Sequence, residues 1–173
     1  MAVWNRCSGS GVPAVHRLAT IGYQGTTIDR VTTALVEAGI THLIDVRAVP
    51  LSRKPGFSKR QLAASLAEAG IGYTNLRALG TPKPGRDAAR RGDTATMQRI
   101  FALHLATPEA QAELGLAAAI TAGAPACLLC FERDAAHCHR LLVAEAIHPA
   151  ELVHLEAALP ETGAGAPERG SGA

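Results

Sequence analysis

One stretch of the sequence organises the fold: Pro125-Ala126-Cys127-Leu128-Leu129-Cys130-Phe131-Glu132-Arg133-Asp134-Ala135-Ala136-His137-Cys138-His139-Arg140. The apolar run that ends at Cys130 predicts a buried strand. A helix is predicted from Ala135 to Ala146, and Cys138 falls in its first turns if Asp134 is the N-cap. Three of the four cysteines and two of the seven histidines therefore lie at one junction between a strand and a helix.

Strand and helix patterns alternate about five times along the chain. Strands are predicted at 18–23, 41–47 and 71–76, in the Cys-bearing segment and near 151–155. Thr26 as N-cap and a capping box from Ser58 to Gln61 predict the first two helix starts. Residues 77–93, rich in Pro, Gly and Arg, are predicted to form a long loop. The alternation predicts an α/β fold: a three-layer single domain with a mostly parallel sheet of about five strands and helices on both faces.

The 173 residues suit one domain, predicted at 18–159 between a flexible N-terminal tail, 1–17, and a disordered C-terminal tail, 160–173. No apolar run approaches the roughly 18 residues of a membrane span, and the first residues lack a secretion signal. We therefore expect a cytoplasmic protein with no membrane partner. A chain of this size and composition does not need disulfides to fold.

Charge is distributed unevenly along the chain. The segment from Arg47 to Arg91 contains ten basic and two acidic residues, although the net charge of the whole chain is only +2. Such a basic surface predicts an anionic partner, either a small molecule or a nucleic acid. The alternative is an ordinary solvated loop surface.

Polar residues follow several of the predicted strands directly. In parallel sheets ligands collect outside the carboxyl ends of the strands, so segments that are distant in sequence should meet at one edge. These segments are 22–25, 45–47, Tyr73 and 130–132. We therefore expect a single site at this edge.

The same segments carry a resemblance to a known family. Thr20 to Gly25, Asp45 to Ser58, Leu79-Gly80, Leu129 to Glu132 and Cys138-His139-Arg140 resemble the bacterial domain-of-unknown-function family numbered 488, over roughly residues 18–156. The resemblance implies a compact bacterial α/β protein in which these motifs form one site, and it implies no particular activity or cofactor. A weaker similarity to rhodanese-like domains lies in Asp45-Val46-Arg47 and in a cysteine at a later strand end. The tight cysteine loop of those domains is missing, so persulfide chemistry is an analogy only.

Four residues are candidates for catalysis: Cys130, Glu132, Cys138 and Asp45. Either cysteine could be a reactive thiol, activated by nearby Arg or His side chains, and either could simply pack in the core. Glu132 could transfer protons or pair with Arg140, and Asp45 could act as an acid or base or form a structural ion pair with Arg47.

The residues expected to bind an anionic substrate offer cations, hydroxyls, aromatic rings or backbone amides. They are Tyr23, Gln24, Gly25, Arg47, Ser52, Arg53, Lys54, Phe57, Ser58, His139 and Arg140. The leading hypothesis is an enzyme that acts on a phosphorylated or nucleotide-like substrate. The alternative is a non-catalytic nucleic-acid-binding module that uses the basic 47–91 surface.

A metal-binding protein is the third hypothesis. The Cys and His residues of the junction suit zinc or iron, but their spacing does not favour a metal site. Cys127 and Cys130 face opposite sides of a strand, and His137, Cys138 and His139 would be about 100° apart on a helix. No metal ligand and no cofactor is therefore assigned from the sequence.

Overall fold

The computed structural model of the chain describes residues 17–159. Five strands and six helices alternate: β1 (Arg17–Gly22), α1 (Ile28–Glu37), β2 (His42–Asp45), α2 (Lys59–Glu68), β3 (Gly72–Asn75), α3 (Lys83–Arg90), α4 (Thr94–Leu105), α5 (Pro108–Gly123), β4 (Ala126–Cys130), α6 (His139–Ile147) and β5 (Glu151–Leu155). Short 3-10 turns occupy Arg77–Leu79 and Ala135–His137. The two predicted tails fall outside the described residues, apart from Arg17, so the predicted domain boundaries stay predictions.

All five strands are parallel and lie in the order β3-β2-β4-β1-β5. Helices α1 and α2 cover one face of the sheet, and α3 to α6 cover the other. The predicted three-layer α/β fold is therefore confirmed. Among the helices of residues 17–159, none combines the length and the apolar character that crossing a membrane requires.

The central strand β4 divides the core into two clusters. Cys127 and Leu129 pack with α1 and α2, whereas Leu128 and Cys130 pack with the helices of the opposite face. This alternation is the period of two expected for a strand, and it confirms the predicted separation of Cys127 from Cys130. Cys130 is the last residue of β4 and lies beside Gly22, the last residue of β1.

The prediction of a long loop over 77–93 is wrong, because this segment contains helix α3. Pro84 lies in the first turn of α3, where a missing backbone N–H does not break the helix. The Arg and Ala residues that follow favour helix, and Ala88 is buried. Pro and Gly therefore mark the start of this helix rather than an irregular segment.

Three predicted boundaries also shift. Helix α1 has its N-cap at Thr27 rather than Thr26, whose hydroxyl donates to the Ala158 carbonyl at 2.7 Å. Ser58 is the N-cap of α2, but its hydroxyl donates to Gln61 Oε1 and caps no backbone N–H, so the predicted capping box does not form. Strand β2 ends at Asp45, and Arg47 therefore belongs to the following loop.

Candidate functional site

A cleft of about 560 Å³ opens at the carboxyl edge of the sheet. Its floor contains Cys130, Cys138 and His139, which we call the sulfur–imidazole cluster. One wall is the loop after β2, and the other is α3 with Arg86 and Arg90. The site therefore lies where the arrangement of parallel strands predicts it.

The sulfur–imidazole cluster is compact and buried. His139 Nδ1 lies 3.7 Å from Cys130 Sγ and 3.9 Å from Cys138 Sγ. On the other side of the ring, Nε2 lies 2.9 Å from the carbonyl oxygen of Val46. The exposed fractions of Cys130, Cys138 and His139 are only 6%, 2% and 7%. Two sulfur atoms and one ring nitrogen thus converge on one point beneath the cleft.

Cys138 and His139 can face the same point because Cys138 is not helical. Helix α6 begins at His139 rather than at the predicted Ala135, and a 3-10 turn occupies residues 135–137. Asp134 caps that turn by accepting from Ala136 N, and Cys138 is the N-cap of α6, with an extended φ of −126° and ψ of 140°. The expectation that residues 137–139 spread around a helix was therefore wrong.

The loop between β4 and α6 is tied down by backbone contacts. The buried Arg140 guanidinium donates to the carbonyl oxygens of Glu132 and Arg133. Of the two alternatives for Glu132, pairing with Arg140 is not observed, since within residues 17–159 no ion pair joins these two side chains. Gly22 packs against this loop so closely that a Cβ at its position would overlap the Glu132 carbonyl. These contacts hold the loop, and with it Glu132, at the cleft.

The electrostatics of the cluster favour a charged sulfur. Burial opposes ionisation of Cys138, but a hydrogen bond from Cys130 and the charge of His139 outweigh it and hold the pKa of Cys138 well below its ordinary value. The hydrogen bond to Cys138, together with burial, raises the pKa of Cys130. Burial also works against a charged His139, but the adjacent Cys138 thiolate raises the pKa of that ring. Thiolate is the form of cysteine that binds metals and attacks electrophiles.

The pKa of Glu132 is also raised. Burial is the main cause, and the charge of Cys138 is the second. Glu132 lines the cleft together with the cluster residues, and the electrostatic effect of Cys138 on its carboxyl group places the two groups near each other. Glu132 is thus in a position to meet a bound substrate.

Asp45 and Arg47 form a buried network beside the cleft. Asp45 Oδ2 accepts from Arg47 Nη2 at 2.6 Å and from the Tyr73 hydroxyl at 2.7 Å. Arg47 Nη1 donates to the Tyr23 hydroxyl and to the Phe57 carbonyl, both at 2.9 Å. Burial works against the charge of Arg47, but Asp45 outweighs it and raises the pKa of the guanidinium. These contacts favour the structural alternative for this ion pair.

The predicted aromatic residues contact one another. Tyr23 and Phe57 are buried and stacked, with ring centroids 4.1 Å apart, and Phe131 meets the Tyr23 ring edge-on at 5.4 Å. Tyr73 bonds Asp45 through its hydroxyl. Of these four residues, Phe131 is the one with an exposed ring, and the sequence had not singled it out as a ligand.

The structure divides the predicted site residues into two groups. The residues that line the cleft are Tyr23, Arg47, Ser52, Arg53, Cys130, Glu132, Cys138 and His139. The residues outside its lining are Gln24, Gly25, Asp45, Lys54, Phe57, Ser58 and Arg140. Two residues of the second group contact the backbone near the cleft: Gln24 Oε1 accepts from Arg133 N, the residue after Glu132, and Lys54 Nζ donates to the Tyr23 carbonyl.

Sequence reasoning missed the wall formed by α3. Arg86 and Arg90 line the cleft, as do Thr81 just before this helix and Met97 of α4. Both arginines belong to the predicted basic surface, but the sequence predicts a loop for this segment. Their spacing of four residues puts them on one face of a helix, and this was the available signal.

Comparisons with known proteins agree with the resemblance of the motifs. The family model described as Domain of unknown function DUF488 matches residues 27–147, which include β2, β4 and the whole sulfur–imidazole cluster. Comparison with curated proteins and with solved structures gives no match. Because the family model covers more than half of the 173 residues, this protein belongs to the family described as Domain of unknown function DUF488.

Proposed function

We propose that this protein is a small enzyme that acts on a phosphorylated or nucleotide-like anionic substrate bound in the cleft. One observation carries the proposal: the buried sulfur–imidazole cluster forms the floor of a cleft whose walls contain arginines. A reactive centre and an anion-binding rim then belong to one concave site, which is the usual arrangement of an active site.

Arg53, Arg86 and Arg90 are the proposed ligands of the anionic group. Arg53 is exposed and makes no ion pair within residues 17–159. Arg86 donates through Nη1 to the Thr81 carbonyl, and Arg90 pairs through Nη1 with Asp87 at 2.7 Å, which leaves the other donors of both side chains for a ligand. Arginines on opposite walls suit a phosphate, since each guanidinium can donate two parallel hydrogen bonds. Arg47 is excluded from this role because Asp45, Tyr23 and Phe57 already occupy its donors.

The rim of the cleft also carries an apolar patch. Val49, Leu51 and Phe131 are all exposed, and Leu51 exposes 76% of its surface. Exposed apolar side chains beside cationic ones suit a substrate that combines a phosphate with a flat or apolar group, such as a nucleobase.

Glu132 is the proposed proton-transfer group. Within the part of the chain that the structure describes, it is the one carboxylate that lines the cleft. Asp45 is fully buried and bonded to Arg47 and Tyr73, so we assign it a positioning role. A free nucleophilic thiol needs access to its substrate, and both cysteines are almost fully buried. The cluster is therefore proposed as the reaction centre without assigning attack to either sulfur.

The proposal is tested by turnover of a panel of nucleotides and phosphorylated small molecules, followed by ³¹P NMR and mass spectrometry. Glu132→Gln should lower kcat roughly 100-fold or more, as expected for loss of a general acid or base. Arg53→Gln should raise KM, whereas Arg99→Gln, an exposed arginine of α4 outside the cleft lining, should change neither constant.

A different result would favour the nucleic-acid alternative. Binding through phosphate contacts releases counterions and weakens steeply with salt. If oligonucleotides bind with such a salt dependence, if Glu132→Gln leaves that binding unchanged, and if no member of the panel turns over, the proposed enzyme is wrong.

A further inference from the structure

We infer that Cys130, Cys138 and His139 form a mononuclear site for zinc or a similar divalent transition metal, with one coordination position open to the cleft. The side chains come from the end of β4 and the start of α6. Their three ligand atoms lie within 4.8 Å of one another, and residues 17–159 contain no other such group of His, Cys, Asp and Glu.

The spacing of these atoms fits a tetrahedral ion. With Zn–S bonds of about 2.3 Å and Zn–N bonds of about 2.0–2.1 Å, tetrahedral angles place sulfur and nitrogen about 3.6 Å apart. The observed distances from His139 Nδ1 to the two sulfurs are 3.7 and 3.9 Å. Contacts of this length also suit weak hydrogen bonds to sulfur, so the same three atoms can exchange those bonds for bonds to one ion.

The orientation of the histidine ring supports the same inference. The Val46 carbonyl oxygen can only accept, so Nε2 at 2.9 Å carries a hydrogen and Nδ1 is the nitrogen that faces the sulfurs. Metal-binding histidines usually donate their second ring nitrogen to a carbonyl or carboxylate in this way, which fixes the ring. The Phe101 ring, 5.0 Å away between centroids, packs against the imidazole.

The surroundings hold the three ligands in place without completing the coordination shell. Arg140 anchors the loop between the two cysteines through its contacts with the Glu132 and Arg133 carbonyls. All three ligand residues line the cleft. Three protein ligands with one open position are typical of catalytic zinc sites, whereas structural zinc sites usually have four protein ligands. Glu132 lies next to this open side and outside the ligand cluster.

This inference deepens the proposed function, and the catalytic meaning of the ion rests on it. At the open position an ion would polarise a substrate oxygen or a bound water. Binding of the ion is measured without any substrate, so the two proposals can fail separately. Metal binding without turnover would support the site and count against the enzyme. Turnover by metal-free protein would support the enzyme and overturn the catalytic meaning of the ion, whereas the site itself is overturned if no ion binds.

The experiment is a titration of the full-length, reduced, metal-free protein with Co²⁺, followed by displacement with Zn²⁺. We expect one ion per chain, with the near-ultraviolet sulfur charge-transfer band and the visible bands of tetrahedral cobalt. Cys138→Ser and His139→Gln should weaken binding roughly 100-fold or more, because losing a ligand should cost at least as much as losing its supporting contact. Cys127→Ala is the matched control, since this cysteine lies on the same strand but faces the opposite side of the sheet, and it should leave the spectrum unchanged.

A second measurement needs no substitution at all. In the wild-type protein, zinc should slow alkylation of Cys130 and Cys138 and leave the rate unchanged at Cys127, which faces the opposite side of the sheet, as mapped by mass spectrometry. Absence of the cobalt bands in the wild type, equal alkylation with and without zinc, or loss of the bands in Cys127→Ala would each overturn the metal site.

Discussion

Two buried polar groups lie at the same edge of the sheet, and they differ in the length and strength of their internal contacts. In the Asp45–Arg47 network, each carboxylate oxygen accepts two hydrogen bonds, and the guanidinium also donates to Tyr23 and Phe57. In the sulfur–imidazole cluster, by contrast, Nδ1 faces two sulfurs at 3.7 and 3.9 Å. A buried network of short, charged hydrogen bonds stiffens a fold, whereas longer and weaker contacts to sulfur can be replaced by bonds to a ligand.

The comparison assigns the two groups different tasks. The first group holds the loop after β2 in position, since Arg47 ties Asp45 to the Phe57 carbonyl across that loop. The second group lines the cleft, where its atoms are available to a ligand. Substitutions should therefore cost mainly stability in the first group and mainly ligand binding in the second.

The largest expected effect comes from Asp45→Asn. It leaves the buried Arg47 charge without its counterion, and breaking a buried ion pair in this way costs about 3–5 kcal/mol of the free energy of unfolding. Urea denaturation of the full chain measures the loss. Asp87→Asn is the control and should shift the curve little, because this partly exposed carboxylate pairs with Lys83 and Arg90 at the surface. A similar small shift for both variants would refute the structural role of the network.

The second prediction concerns the cluster and removal of its metal. With free zinc at 100 times its Kd, the protein should be about 2.7 kcal/mol more stable to urea than after chelation, because the ion binds the folded state. In Cys130→Ala the two denaturation curves should coincide. If chelation also leaves the wild-type curve unchanged, the cluster binds no stabilising ion. The contrast between a structural network and a ligand-binding cluster is then wrong.

A smaller loss is expected for Tyr73→Phe. The substitution removes the hydroxyl that donates to Asp45 Oδ2 at 2.7 Å and keeps the ring. A hydrogen bond to a charged group contributes about 1.5–3 kcal/mol, and the lower end applies because Tyr73 is only half-buried. Denaturant unfolding gives the change in stability, and the cobalt titration should give an unchanged affinity. A weakened metal affinity would show that the two groups are coupled rather than separate.

The smallest effect concerns His42, at the opposite end of β2 from the cleft. Burial lowers the pKa of its ring, which bonds the Thr74 hydroxyl. The folded state therefore disfavours protonation, and stability should fall as the pH drops below the unfolded value of about 6.5. The measurement is the difference in unfolding free energy between wild type and His42→Asn, followed from pH 8 to pH 5. This difference separates the contribution of His42 from that of the other histidines. A constant difference across that range would contradict it.

The position of the site could largely be predicted from the sequence. The arrangement of the side chains within it could be predicted less well. The period-two pattern of β4 correctly separated Cys127 from Cys130, and the rule for parallel sheets correctly brought Tyr23, Arg47 and Cys130 to one edge. Arg86 and Arg90 were misplaced because Pro84 and Gly85 were interpreted as loop residues, although proline is tolerated in a first helical turn. Local sequence patterns predicted where most of the helices and strands lie. They failed where one residue type, here proline, occurs both in loops and in the first turn of a helix.

The amino-acid sequence by itself determined the α/β fold, the family motifs and the edge at which the chemistry collects, because hydrophobic periodicity is a local property of the chain. Only the tertiary structure decided which polar side chains meet there. Arg47 is occupied by Asp45, Tyr23 and Phe57, whereas His139 faces two sulfurs because Cys138 is extended and the ring is held by the Val46 carbonyl. Such pairings depend on contacts between residues far apart in sequence, and their geometry is set when the strands and helices pack.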